Sequence, residues 1–168
     1  LSETTENLAA AFAGESQANR RYLAFARKAD KEGLPQIAKL FRAAAESETI
    51  HALNHLGVMG EIKSTPDNLT KAVSGETYEF KSMYPEFLSD AKQDANKQAA
   101  WSFDIAGKVE QVHASLFQKA FDALKGGKSH TSRLLCLWKH RGELGARKMP
   151  DLWCTKVKIR QNNLIQKP

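Results

Sequence analysis

Cysteine is scarce: the 168 residues hold two, Cys136 and Cys154, and no Cys-x-x-Cys pair. That excludes a disulfide framework and a thiolate-rich metal knuckle in the chain as written. No apolar run approaches the ~18 residues that a membrane span needs, and the polar opening of residues 1–7 lacks the apolar core of a secretory signal. The expectation is a cytoplasmic protein with no membrane partner. General basicity is missing too, despite a formal net charge of +6: residues 1–128 hold 16 Lys/Arg against 17 Asp/Glu, and residues 129–168 hold 9 against 2. A basic excess confined to one end, with no recognition motif, predicts no nucleic-acid partner.

What is present is alanine-rich, with apolar residues at three and four spacing from about residue 4 to 124, the mark of helices. Sparse breakers divide this stretch into four. Gly33, Leu34 and Pro35 separate the first helix from the second, and Gly57 to Pro66 separate the second from the third. Asp94 to Asn96 turn the third into the fourth, and Gly126 and Gly127 close it. Thr65 is the expected N-cap of the third helix, with Pro66 at its first position and Asp67 favourable to the helix dipole. The predicted fold is an all-α four-helix bundle over residues 1–128, followed by a largely irregular tail over 129–168.

Within the helices one pattern occurs twice: Glu15 followed by Glu48-x-x-His51, and Glu76 followed by Glu110-x-x-His113. A bundle that binds two iron ions needs this set, one Glu from each of two helices and a Glu-x-x-His from each of the others. The halves also align as a repeat. Asn7, Leu8, Gly14 and Glu15 match Asn68, Leu69, Gly75 and Glu76 at an offset of 61. Tyr22, Phe25, Phe41, Ala44, Glu48, His51 and Ala52 match Tyr84, Phe87, Phe103, Ala106, Glu110, His113 and Ala114 at an offset of 62. One residue has entered the third helix between Glu76 and Tyr84. Helices absorb such insertions as a π-bulge, here beside Glu79, a carboxylate with no counterpart in the first half. Pro85 is a second source of distortion there.

Residues equidistant from a hairpin turn lie at one height. Glu15 is 18 residues before Gly33, with Glu48 and His51 15 and 18 after it; Glu76 and Glu79 are 19 and 16 before Ala95, with Glu110 and His113 15 and 18 after it. At ~1.5 Å per residue these mismatches are within one turn, so all seven side chains can share one layer. A lone helical glutamate is ordinarily solvated and a lone histidine ordinarily a core residue. Glu15, however, sits in the small-residue run Ala9 to Ala18, an expected core stripe, and five buried, unpaired carboxylates need cations or protons. Two ferrous ions set +4 against −5, and carboxylates with imidazoles suit iron or manganese better than a closed zinc tetrahedron; zinc or manganese could substitute.

At these residues the chain resembles rubrerythrin, the ferritin-like di-iron peroxidase. The resemblance covers about residues 3–128 and is carried by AFAGESQANRRY around Glu15, AAESETIHA around Glu48 and His51, GETYEFKSMYPEF around Glu76 and Glu79, and KVEQVHA around Glu110 and His113. It implies a ferritin-like bundle and two non-haem irons held by Glu15, Glu48, Glu76, Glu79, Glu110 and His113, with His51 exchanging with Glu79 as ligand. Tyr22 and Tyr84 match tyrosines that hydrogen-bond the ligand carboxylates. The implied reaction is reduction of hydrogen peroxide to water in oxidative-stress defence. Rival readings are a ferroxidase or oxygen-reducing di-iron protein, and a metal-binding bundle without catalysis. A ferritin-like bundle needs its second and third helices parallel, yet the link of about five residues spans at most ~18 Å against a helix of ~37 Å. Two solutions remain, an up-down-up-down monomer and a homodimer that exchanges helix pairs between chains; retention of the ferritin-like ligand geometry favours the homodimer.

Rubrerythrins usually end in a rubredoxin-like domain with two Cys-x-x-Cys-Gly knuckles, which this chain lacks. Read one nucleotide later from Leu134, its codons force Gly at Trp138-Lys139, Cys at Met149-Pro150 and Gly at Trp153-Cys154. They permit Cys at Leu134-Leu135, Leu137-Trp138 and Leu152-Trp153. Residues from about 129 onward look like a frame-shifted rubredoxin domain, so rubredoxin-type iron is not expected and electrons come from an external donor. Sequencing the gene across Lys128 to Leu134 is expected to locate a single-nucleotide shift; an intact frame would make the tail a genuine divergence.

Overall fold

The structure is a computed structural model that describes residues 2–126. The tail over 129–168, with Cys136, Cys154 and the shifted rubredoxin pattern, lies outside the described residues. All regular structure among the described residues is helical, and no described helix is long and apolar enough to cross a membrane. The chain parts into two compact units between Asn68 and Leu69, each built on a helical hairpin.

In the first hairpin, α1 (Glu3–Lys31) starts at Ser2, whose hydroxyl accepts the Thr5 N–H, with Glu3 and Glu6 in the first turn and Lys28 and Lys31 in the last. This charge order suits the helix dipole. Gly33 then takes φ 74°, a left-handed turn that glycine enters without strain, and α2 (Pro35–Val58) opens on a proline that needs no N–H partner. Across the turn Arg42 Nη1 lies 2.8 Å from Asp30 Oδ2 and Nη2 lies 3.3 Å from Oδ1. The Arg42 hydrogen bond holds the Asp30 carboxyl below its ordinary range.

The two helices meet on alanine. Ala26, Ala29 and Ala38 form a buried cluster with Phe41 against it, and Ala38, Ala45 and Ala52 are buried at every seventh position of α2. That period keeps one seam of a helix facing its neighbour, and a seam of methyl groups lets two backbones come close.

After a six-residue link over 59–64, α3 (Thr65–Tyr78) begins one residue earlier than the sequence suggests. Ser64, not Thr65, is the cap: its Oγ accepts the Asp67 N–H at 3.4 Å and lies 2.5 Å from Asp67 Oδ2. The Ser64–Asp67 pairing is reciprocal, whereas the Asn68 side chain is taken up by the Lys63 backbone N–H and carbonyl. A π-helical turn, Glu79–Met83, follows directly, then α4 (Tyr84–Gln93), so 65–93 is one helix with a widened turn. The Tyr84 N–H reaches back five residues to the Glu79 carbonyl, and Pro85, which has no N–H to offer, sits just beyond. The insertion inferred from the repeat is therefore absorbed where the offset changes. Ala95 at φ 53° turns the chain, and Asn96 caps α5 (Lys97–Lys125) by accepting the Ala99 N–H at 3.0 Å.

The π turn restores register. Tyr22, Phe25 and Phe41 have ring centroids 6.4, 6.2 and 5.5 Å apart, and Tyr84, Phe87 and Phe103 repeat this at 6.4, 6.3 and 5.5 Å. In the second hairpin Gly107 takes the place of Ala45 at the 62-residue offset, and a Cβ built there would stand 3.1 Å from Tyr84 Cβ. Both atoms are fixed to helix backbones, so neither can swing aside. Gly107→Ala is expected to destabilise the chain by about 1–3 kcal/mol through overpacking, although Ala is the better helix former; urea unfolding checks it, and unchanged stability would show that α4 and α5 can separate freely.

Candidate metal centre

Each hairpin gathers two carboxylates and an imidazole. In the first, ligand atoms of Glu15, Glu48 and His51 lie within 4.8 Å of one another; in the second, Glu76, Glu110 and His113 do the same. Glu15 comes from α1 and the Glu48/His51 pair from one face of α2, because residues three apart on a helix are neighbours. The arrangement recurs with Glu76 on α3 and Glu110/His113 on α5. Both histidines turn Nδ1 inward: His51 Nδ1 is 2.8 Å from Glu48 Oε2, and His113 Nδ1 is 2.5 Å from Glu110 Oε2 and 3.5 Å from Glu76 Oε2.

Six of the seven ligand candidates thus fall into two like triads. Glu79 joins neither. It is the first residue of the π turn and half-buried, and its charge acts on Tyr84, whose hydroxyl pKa is pushed up by burial and then by Glu79, Glu110 and Glu76. Tyr84 therefore keeps its proton beside three carboxylates. Tyr22 packs in the aromatic trio of the first hairpin. Asn19, which the sequence reading passed over, is buried in the α1/α2 seam and bonded to the turn that carries Glu48. A polar residue four positions after Glu15 on an otherwise small-residue face was the available signal.

The donor set fits a hard divalent cation. Two carboxylates and one imidazole converge in each triad, and the crowding has an electrostatic signature. Glu76 has its pKa raised, first by burial and then by its hydrogen bond and charge repulsion with Glu110, against the lowering influence of His113. A cation between the carboxylates removes that repulsion.

Comparison with known proteins agrees with this geometry. The rubrerythrin family model matches residues 6–121. The chain belongs to the rubrerythrin family. It is 40% identical over 139 residues to rubrerythrin-2 of Clostridium acetobutylicum, covering 74% of this chain and 76% of that one. It is 35% identical over 160 residues to nigerythrin of Nitratidesulfovibrio vulgaris, covering 85% and 79%. Rubrerythrin of Porphyromonas gingivalis is 39% identical over 125 residues, covering 67% and 62%. A solved structure of nigerythrin in its mixed-valence state matches at 35% identity over 74% of this chain and 68% of its own, with a TM-score of 0.38. Family membership implies non-haem iron, and the all-α chain with its paired helices has the helix complement of the ferritin-like class.

A raised carboxylate pKa means that the charged form is disfavoured in the folded chain. The contribution of Glu76 to metal-free stability is thus greatest at low pH and falls as pH rises through its folded pKa. Glu76→Gln is expected to raise the thermal midpoint of the metal-free chain at pH 7 while weakening ferrous ion binding; a lower midpoint would show that the carboxylates do not repel one another.

Proposed function

We propose that the two triads, with Glu79, hold two non-haem iron ions and that the chain reduces hydrogen peroxide to water, using electrons from an external rubredoxin-like donor. The observation that carries this reading is the doubled Glu and Glu-x-x-His triad, with a π turn where the offset between the halves changes. The working unit is residues 1–128, in a reducing cytoplasm, as a homodimer. The link over 59–64 spans at most ~22 Å at ~3.6 Å per residue, short of the ~36 Å length of α2, which favours exchange of helix pairs between two chains.

When bound, two ferrous ions supply one electron apiece, the two that reduction of peroxide to two waters consumes. The side chains have separate tasks. Glu15, Glu48, Glu76 and Glu110 would offset the cationic charge, and His51 and His113, whose Nδ1 atoms lie beside Glu48 and Glu110, would add imidazole nitrogens to the donor set. Tyr84 holds its proton at Oη, because burial and then the surrounding carboxylates oppose ionisation, and can donate it in a hydrogen bond. Glu79 starts the π turn, where the helical bonding pattern is already altered, so its side chain can move at less cost to the helix. Carboxylates with adjustable positions suit a site whose charge changes by two.

The test is the ferrous-loaded chain exposed anaerobically to peroxide and, separately, to dioxygen. Faster oxidation by peroxide, with water as product and turnover on addition of reduced rubredoxin, is expected. Faster oxidation by dioxygen would instead indicate a ferroxidase or oxygen-reducing protein, and no oxidation a metal-binding bundle without catalysis. Glu110→Ala is expected to abolish iron loading; normal loading removes Glu110 from the ligand set.

A further inference from the structure

Between the alanines of the first hairpin lies one polar side chain. Asn19 is buried and its amide nitrogen spans the seam, donating to the Ala45 carbonyl at 2.7 Å and to Thr49 Oγ1 at 2.8 Å. Thr49 Oγ1 in turn donates to the Ala45 carbonyl at 3.1 Å. A carbonyl can only accept, so the nitrogen must face it and the amide orientation is set. Both amide hydrogens have separate acceptors. This clasp is a buried polar connection between α1 and α2 beside the triad. Asn19 stands one turn after Glu15 on α1, and Thr49 is the neighbour of Glu48 on α2.

Alanine faces slide over one another with little energetic preference, because methyl groups offer small knobs. A slide of one residue moves a helix by ~1.5 Å, enough to break a 2.7 Å hydrogen bond and to leave a buried donor unsatisfied. The same slide would displace Glu15 from Glu48 and His51, whose ligand atoms lie within 4.8 Å. The repeat adds a contrast: at the offset that relates Glu15 to Glu76, the counterpart of Asn19 is Phe80, which carries no hydrogen-bonding side chain and lies in the π turn.

We propose that Asn19 is a positioning residue that locks the register of α1 on α2, so that Glu15 reaches the metal held by Glu48 and His51. The inference rests on the metal reading above and adds a residue to it. In the second hairpin the corresponding turn is the widened one that begins at Glu79, so the two halves of the chain support their triads by different means.

The test is titration of the full chain with Mn(II), a hard ion with little taste for the tail thiols, followed by the loss of free-ion electron paramagnetic resonance and by the spectrum of the bound ion. Asn19→Ala and Asn19→Asp, neither able to donate both bonds, are expected to weaken binding by about tenfold or more and to alter the bound spectrum. Thr49→Val, which keeps the bond to Ala45, is expected to weaken it less and serves if the Asn19 variants do not fold. Ala26→Gly, buried in the same seam away from the triad, is expected to lower thermal stability but leave affinity and spectrum unchanged. Wild-type affinity and spectrum in Asn19→Ala and Thr49→Val would overturn the proposal, as would an equal loss of affinity in Ala26→Gly, which would make the effect one of general stability. No binding by the unaltered chain would overturn the metal reading itself, and this inference with it.

Discussion

Carboxylates of like charge brought together on helix faces, two to each triad with one histidine, are the constraint on which the remaining structure depends. Glutamate in an ordinary helix turns to solvent, where its charge is nearly free of cost. Here Glu76 and Glu110 are held close enough, and far enough from water, for the pKa of Glu76 to rise. Such a cluster persists in a folded chain when a positive charge shares it. The triads therefore suit a cation, and their oxygen and imidazole donors suit a hard divalent ion. Membership of the rubrerythrin family implies non-haem iron as the ion for such a site.

Much of this was legible because a metal site on helices is written in spacing. Glu-x-x-His occupies one helix face, and equal distances from a turn place two helices at one height, so Glu15 could be paired with Glu48 and His51 before any coordinates. The π turn was legible for a less usual reason: the chain contains its own reference. The change of offset between Glu76 and Tyr84 localised the extra residue, and Glu79–Met83 is where the helix widens. Periodicity alone would not have found it, since a π turn shifts the apolar pattern by no more than ordinary irregularity does.

What escaped the sequence depended on partners distant along the chain or on competition between neighbours. Ser64 and Thr65 are both good caps, and in the structure Asp67 pairs with Ser64 while the Asn68 side chain is held by the Lys63 backbone. Asn19 resembles a solvent-facing helical asparagine until Ala45 and Thr49 are brought opposite it, 26 and 30 residues later. Glu79 counts as a ligand by resemblance, yet its side chain belongs to neither triad. Sequence spacing places a residue along the axis of its helix, but not the direction of its carboxylate around a widened turn.

The small-residue seam connects these observations. A glutamate side chain has a short fixed reach, so ligand oxygens from two helices come within 4.8 Å only if the backbones are close. Buried Ala38, Ala45 and Ala52 allow that approach in the first hairpin. Closeness obtained with methyl groups sacrifices the interlocking of larger side chains that ordinarily fixes helix register. Register must then come from elsewhere: from the Arg42–Asp30 pair at the turn, from the aromatic trio, and from the Asn19 clasp at the height of the ligands. Of these, only the clasp is both buried and adjacent to the triad. The second hairpin solves the same problem with Gly107, where Ala45 would stand, pressed against Tyr84 just after the π turn. Removing one methyl there admits the tyrosine that faces the carboxylates, so the packing that sets helix separation also sets the polarity around the metal-binding groups.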